Sequence, residues 1–299
     1  MAKKNIKIYY FYALENVDKK DKIVDLTSIL EGLNDMPANE RILNDGEGNI
    51  QLKKIDYDED SKRWYLAFLR NQIDAPFKTK LDDDIETAET LEDDEFVGQE
   101  CCVIYDEKSK ILSLQNNRGS ISFSGLRQFL IKYTSSKLVL SAITYKEKYC
   151  EISEQDFINY KSIIIGYTDI SELIKIAEKE DNTVIQSIGN LANNISALNG
   201  KIELSVGRSN NYLQKSKLKT LVDFFKKNPK CTKNLKVKML DVDTIRMIDL
   251  LNNKVNDEIT ISITKDDPKT FTKIFNAMDA AFDSAISETF DKCNIFVNC

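Results

Sequence analysis

The sequence predicts a mixed α+β protein, with two sheet-containing domains and helices packed on the sheets. Three observations predict it. Runs rich in Val, Ile, Tyr and Phe recur along the whole chain. Segments with apolar residues at helical spacing separate them. In the second half strand and helix alternate, the order expected of α/β and α+β sheets. At 299 residues the chain is long enough for two cores, and 14 Phe, 12 Tyr and 1 Trp supply material to fill them.

Residues 6–12, Ile-Lys-Ile-Tyr-Tyr-Phe-Tyr, read as the opening strand. Asp25 can cap a helix over 26–33, where Leu26, Ile29, Leu30 and Leu33 fall at i, i+3, i+4 and i+7. Turn residues at 44–49 precede two strands, 50–55 and 63–69, joined by a polar connection as a meander. Residues 81–95 are too charged for a core and read as a solvated loop or helix. Strands over 98–105 and 111–114 make a hairpin. Ser122 or Ser124 then caps a helix through Tyr133, with Leu126, Phe129 and Leu130 on one face, and 137–143 is a further strand. Residues 145–154 are polar and lose periodicity, so the domain boundary is placed there. The expected N-terminal domain is 1–148, with an acidic loop at 81–100; the C-terminal domain is 149–299, with a basic segment at 201–238.

In the second domain, strands are expected over 162–167, 201–206, 235–240 and 258–263. Helices are expected over 171–177, 183–198, 212–227 and 243–251. Pro268 suits the start of a last helix carrying Phe271, Ile274, Phe275, Met278 and Phe282 at helical spacing.

Composition removes much chemistry. Histidine is absent, which excludes Ser-His-Asp and Cys-His nucleophile activation and any histidine general base. None of the 6 cysteines forms a C-x-x-C pair, so zinc-ligand spacing is missing; Cys101 and Cys102 lie in an apolar run and read as small buried hydrophobes. No Walker or G-x-G-x-x-G loop occurs, and no cofactor is expected. Asp18-Lys19-Lys20, Asp60-Ser61-Lys62, Asp106-Glu107-Lys108 and Asp267-Pro268-Lys269 match the nuclease tripeptide in form only, in loops or beside a proline. No run reaches the ~20 apolar residues of a membrane span, and no signal-peptide core follows the start, so direct membrane insertion is not expected and a cytoplasmic location is.

Charge is spread unevenly. Residues 201–238 hold eleven Lys or Arg and two acids, Glu203 and Asp223, a balance of +9; with the chain at −6, the remainder carries −15. Residues 81–100 hold ten acids and no base. A dense basic segment attracts polyanions, because each cation can displace a counterion condensed on a phosphate backbone. Around the helix expected at 212–227, Lys215, Lys219 and Lys226 fall within ~40° of each other and flank a stripe of Leu218, Leu221, Val222 and Phe225. Lys217 and Lys227 widen this basic surface. Lys236 and Lys238 alternate with Leu235, Val237 and Met239, which places both on one strand face. Arg208 sits in a loop with Ser209, Asn210 and Asn211 that suits phosphate contact. The plainer reading is a solvated face balanced by acids elsewhere. A second candidate is Asn116, Asn117 and Arg118, at a strand-to-helix turn where amides and a guanidinium can meet a phosphate or base edge; the same residues also serve any tight turn.

The order of elements resembles the RexA proteins of temperate-phage exclusion systems. The segments that carry it are 6–12, Leu26-Thr27-Ser28-Ile29-Leu30, Trp64-Tyr65-Leu66-Ala67-Phe68, the hairpin Val103-Ile104-Tyr105 to Ile111-Leu112-Ser113-Leu114, Leu126-Arg127-Gln128-Phe129-Leu130, and the later 201–206, 217–225 and 235–241. The chain is also similar to the DNA-binding subunit of the Kiwa defence system. The resemblance implies a homodimeric, sequence-tolerant binder of double-stranded DNA in phage defence, working beside a small membrane effector protein. No residue motif carries over by position.

The expected function is therefore a non-enzymatic DNA-binding protein that senses phage DNA intermediates. The alternatives are an interaction factor that offers its acidic segment as an inhibitor or DNA mimic, and a metal-dependent nuclease.

Overall fold

The structure is a computed structural model describing residues 2–17, 20–44, 48–73, 77–78, 87–88, 91–92, 95–117, 119–134, 137–146, 151–153, 158–180, 182–241 and 244–294. Half of the acidic stretch 81–100, with seven of its ten acids, lies outside the described residues, as do Arg118, Cys150 and Cys299.

In chain order the first elements are β1 (Ala2–Val17), β2 (Lys20–Ile23), α1 (Thr27–Asp35), β3 (Ile42–Asn44), β4 (Asn49–Asp58) and β5 (Arg63–Gln72). There follow β6 (Phe77–Lys78), β7 (Thr87–Ala88), β8 (Val97–Asp106), β9 (Ile111–Asn116), α2 (Phe123–Lys132) and β10 (Val139–Ala142). The next group is β11 (Ile158–Tyr167), α3 (Ile170–Lys179), α4 (Thr183–Asn194), β12 (Gly200–Ser205), α5 (Lys215–Lys227), β13 (Thr232–Asp241) and β14 (Thr244–Asp249). The chain closes with β15 (Asn256–Ile263), α6 (Phe271–Glu288) and a 3-10 turn at Phe290–Lys292. The expected α+β class, with helices packed on sheets, is what the molecule has.

The chain forms two compact units. One runs to Ile143 and takes in Asn256–Asp291; the other is Thr144–Val255 with Lys292–Asn294. The first junction lies close to the expected 148/149 boundary. The second domain, however, does not run on to residue 299 as expected: β15 and α6 belong with the first unit. The pairing that brings β15 back spans more than 250 residues, Ala2 opposite Ile263, and no local pattern reports it.

In the first unit, a nine-stranded antiparallel sheet is organised by the 16-residue β1. Ile6, Ile8, Tyr10 and Tyr12 are buried on one face of β1; Phe11 and Ala13 are buried on the other. A strand apolar on both faces belongs at the centre of a covered sheet. Along one edge β1 pairs with β9 and then β2; along the other it pairs with β15 through residues 2–9 and with β10 through residues 11–14. Ala142 of β10 lies opposite Phe11, the Ile143 amide donates to the Tyr10 carbonyl, and Asn256 lies opposite Tyr9. β10 and β15 are thus two halves of one strand line, and the second unit is looped out between them.

One face of this sheet packs Phe11, Trp64, Leu66, Phe68 and Val103 against Leu26, Leu30 and Leu33 of the α1 segment and Leu126, Phe129 and Leu130 of α2. Ser122 caps α2, its hydroxyl accepting from Gly125 N at 3.1 Å, as the capping chemistry predicts. Cys101 and Cys102 are both fully buried, and burial pushes both thiols well up. The opposite face carries α6, which buries Ile274, Phe275, Met278, Phe282 and Ala285. Each fully buried large apolar side chain stabilises by about 1.5–3 kcal/mol. This helix starts at Phe271, three residues past the expected Pro268, and Thr270 caps it, accepting from Lys273 N at 3.3 Å.

The second unit is a four-stranded antiparallel sheet in the order β12-β11-β13-β14. Ile163 stands opposite Val237, Ile165 opposite Leu235, and Val237 opposite Ile248, all buried, so they line one face. Helix α5 packs along β13 and buries Leu218, Leu221, Val222, Phe224 and Phe225. Residues 244–249 form β14, where a helix over 243–251 was expected. Ile245 and Ile248 fit helical spacing, but the segment follows β13 directly and pairs back on it from Thr244 to Asp249.

Candidate nucleic-acid interface

The candidate residues of the basic segment fall in three separate places. The first is α5, whose five buried apolar residues fix its rotation. Taking about 100° per residue, Lys215, Lys219 and Lys226 fall within ~40° of one another at one border of the buried face. All three are half-buried, and each also engages another group of the protein. Lys227 is exposed about 100° further round on the solvent side, with Asp223 between it and the row. Lys217 is exposed but sits about 160–200° from the row, on the far border, so it does not widen the same surface. The row runs inward of the helix C-terminus, where Lys226 and Lys227 also complement the dipole.

The second place is the loop before α5. Gly207 adopts φ 62°, a left-handed conformation that glycine takes without strain. The Lys161 ammonium donates to the carbonyls of Ser209 at 2.9 Å and Asn211 at 3.1 Å, and stands 4.4 Å from the Tyr212 ring centroid. Ser209 Oγ donates to Val206 O at 2.8 Å. These contacts hold an exposed Arg208 on a pinned turn. Lys161 lies on β11, far from the basic segment in sequence, and its positioning role carried no local signal.

The third place is β13. Lys236 and Lys238 alternate with Leu235, Val237 and Met239 as expected. The apolar three lie on the face that α5 covers, so the two lysines point to the opposite side of the sheet from α5. Across that outer face Lys236 stands between Ile164 and Asp249, and Ile164 is opposite Glu203. The Lys236 ammonium lies 3.6 Å from the Asp249 carboxylate. Lys238 is exposed opposite Ser162 and Met247. This outer face mixes both signs of charge. One groove joining the α5 and β13 lysines does not form, because a sheet lies between them.

The strand-to-helix turn in the first unit is arranged differently. Asn117 Nδ2 donates to Glu100 O at 2.8 Å and to Glu100 Oε1 at 3.1 Å, and Gln115 Nε2 reaches the same carboxylate at 3.3 Å. Asn117 is therefore a turn residue held by an acid. Lys269 pairs with Glu100, and Lys4, beside Lys269, has its pKa lowered by burial and by that second ammonium. Asn116 is exposed, and Arg118 lies outside the described residues. Next to the turn, a cavity of about 470 Å³ is lined by Arg70, Gln72, Ser120, Ser122 and Gln128 among others. Arg70 is buried, and its Nε donates to Ser120 O at 3.4 Å. No local pattern in the sequence marks it, because it sits inside the apolar strand β5.

Among the described residues no cluster of three Cys, Asp or Glu side chains is placed to hold a metal ion, and no helix is long and apolar enough to cross a membrane. Residues 1–294 match the model of a family of unknown function, DUF6731. No curated protein matches the chain.

Proposed function

The chain belongs to DUF6731, a family of unknown function, and we propose that it is a non-enzymatic, sequence-tolerant DNA-binding protein that grips the phosphate backbone. The observation that carries the reading is the row Lys215, Lys219 and Lys226 along one border of α5, with Arg208 held on the pinned turn before the helix. At ~1.5 Å rise per residue the row covers about 16 Å, a length over which one DNA strand presents roughly five charges. Ammonium groups on flexible stems contact phosphate without reading bases. The net −6 of the chain does not oppose this at contact range, because salt screens exposed charges beyond about 8–10 Å.

A part in phage exclusion, as a homodimeric sensor of phage DNA intermediates beside a small membrane protein, belongs to the same proposal. Its only support is the resemblance in the order of elements read from the sequence.

The test is a gel shift with charge-reversed variants. Lys215→Glu, Lys219→Glu and Lys226→Glu together should raise the dissociation constant for duplex DNA at least tenfold, equally on unrelated sequences. Lys236→Glu with Lys238→Glu, on the other side of the sheet, should change it little. The reverse ranking, or no binding by the unaltered chain, would overturn the reading.

A further inference from the structure

β12 is an edge strand: among the described residues it pairs only with β11. Exposed edges invite pairing with another chain, and most proteins blunt them. The residues on this edge are unusual in being complementary to themselves. Lys201 and Glu203 flank Ile202 and point to one face; Gly200, Ile202 and Leu204 point to the other. Leu204 is 44% exposed. We propose that β12 pairs antiparallel with β12 of a second copy of this chain, about a two-fold axis at Ile202, so that two sheets join into one.

In that register Lys201 stands opposite Glu203 of the other copy, and the same pair recurs on the far side of the axis. On the other face Ile202 meets Ile202, and each Leu204 stands opposite Gly200, over which the Tyr167 ring of β11 lies, so that the leucine meets that ring. Cation meets anion twice, from one six-residue strand. Shifting the register by one residue would place like charges or like faces wrongly.

The stretch leading into this strand fits the same occupant. Residues 182–200 contain no Asp, Glu, Lys or Arg, in a chain that is 30% charged. Within them Val184, Ile188, Leu191 and Ile195 fall within about 60° around α4, away from the buried Ile185, Gly189 and Ala192. Leu191, Ile195 and Leu198 are 64%, 72% and 64% exposed. A chain of net −6 repels its own copy, so a charge-free approach surface matters most for self-association. A membrane-lying helix would carry Lys or Arg on its polar face, and α4 has none.

This inference rests on β12 and α4, not on the lysine row of α5, and its readout uses no nucleic acid. The experiment is sedimentation equilibrium of the full chain and its variants. The unaltered protein should be a dimer. Lys201→Glu and Glu203→Lys, each alone, create two repulsive pairs and should weaken the dimer on the order of tenfold or more. Mixing the two single variants, or combining both changes in one chain, should restore it. Both positions are exposed, so folding is preserved. Single variants that dimerise like the unaltered chain, or a mixture that fails to recover, would overturn the proposal. So would a monomeric wild type: pelleting with phosphatidylcholine vesicles would then assign the face to a lipid surface, and failure to pellet to a different protein.

Discussion

Arg63 and Asp279 are 216 positions apart in the chain, and their side chains meet at 2.6 Å. The guanidinium is buried under α6. Its Nε donates to Asp106 at 3.2 Å, its Nη2 to Asp283 at 2.6 Å, and its centre lies 4.8 Å from the Phe282 ring centroid. Burial works against the charge, but the bonds to Asp283, Asp279 and Asp106 outweigh it and hold the guanidinium firmly protonated. Tyr65, donating to the same Asp279, is pushed up to about 12, chiefly by its burial.

The three acids are not equivalent. Asp106 is 2% exposed and Asp283 is 64% exposed at the side chain. Arg63→Met leaves Asp106 buried without a counter-charge and should cost about 3–5 kcal/mol in urea unfolding. Asp283→Asn removes a solvated partner and should cost about 1 kcal/mol or less. Equal costs would mean the network is not a buried one.

The strand line formed by β10 and β15 gives a second prediction. Joining Ile143 directly to Asn256 keeps the register along β1, with residues 142, 143 and 256 opposite Phe11, Tyr10 and Tyr9. A chain lacking 144–255 should therefore fold, with a cooperative thermal transition. The fragment 1–148, the domain that sequence alone suggests, lacks β15 and α6 and should not. Circular dichroism on both fragments decides it.

Asp25 predicts an acid-sensitive contribution. Burial raises its pKa, but bonds from Lys110, Thr27 and Tyr105 outweigh this and hold the carboxyl well below its ordinary range. A carboxylate depressed on folding stabilises above its unfolded value of about 3.9, and the contribution is lost as pH falls through the folded value. Unfolding midpoints between about pH 5 and pH 2 should fall less steeply for Asp25→Asn than for the unaltered chain. Parallel slopes would contradict the assignment.

At Gly189 α3 and α4 approach closely: an added Cβ would overlap the Ile174 side chain. Gly189→Ala should destabilise the second unit by about 1–3 kcal/mol through overpacking. The exposed neighbour Asn190→Ala should stay within about 0.5 kcal/mol. Hydrogen exchange in α3 and α4 reports which of the two loosens the helices.

Local patterns were readable where one face alone decides the structure. Phe271 to Phe282 gave α6, Leu218 to Phe225 gave α5, and the alternation of Leu235 to Met239 gave β13. They misled where partners decide. Residues 244–249 became a strand because β13 lies beside them, and 256–291 returned to the first unit through pairing with β1. The candidate site followed the same rule. The helical wheel placed Lys215, Lys219 and Lys226 together and, read as a full circle, separates Lys217 from them. That β13's lysines face away from α5 depends on which sheet face the helix covers, and no spacing in the sequence encodes it. Arg63, Lys161 and Arg70 went unnoticed because each acts through residues distant in the chain.

The most direct measurement of the central claim is the salt dependence of duplex DNA binding by the full chain, followed by fluorescence anisotropy. If Lys215, Lys219, Lys226 and Arg208 each neutralise one phosphate, log K should fall against log salt with a slope near −3.6, roughly 10²-fold between 50 and 200 mM. The triple lysine reversal should flatten that slope to about −1. A slope near zero in the unaltered protein, or one that the reversal leaves unchanged, would contradict backbone binding by this helix.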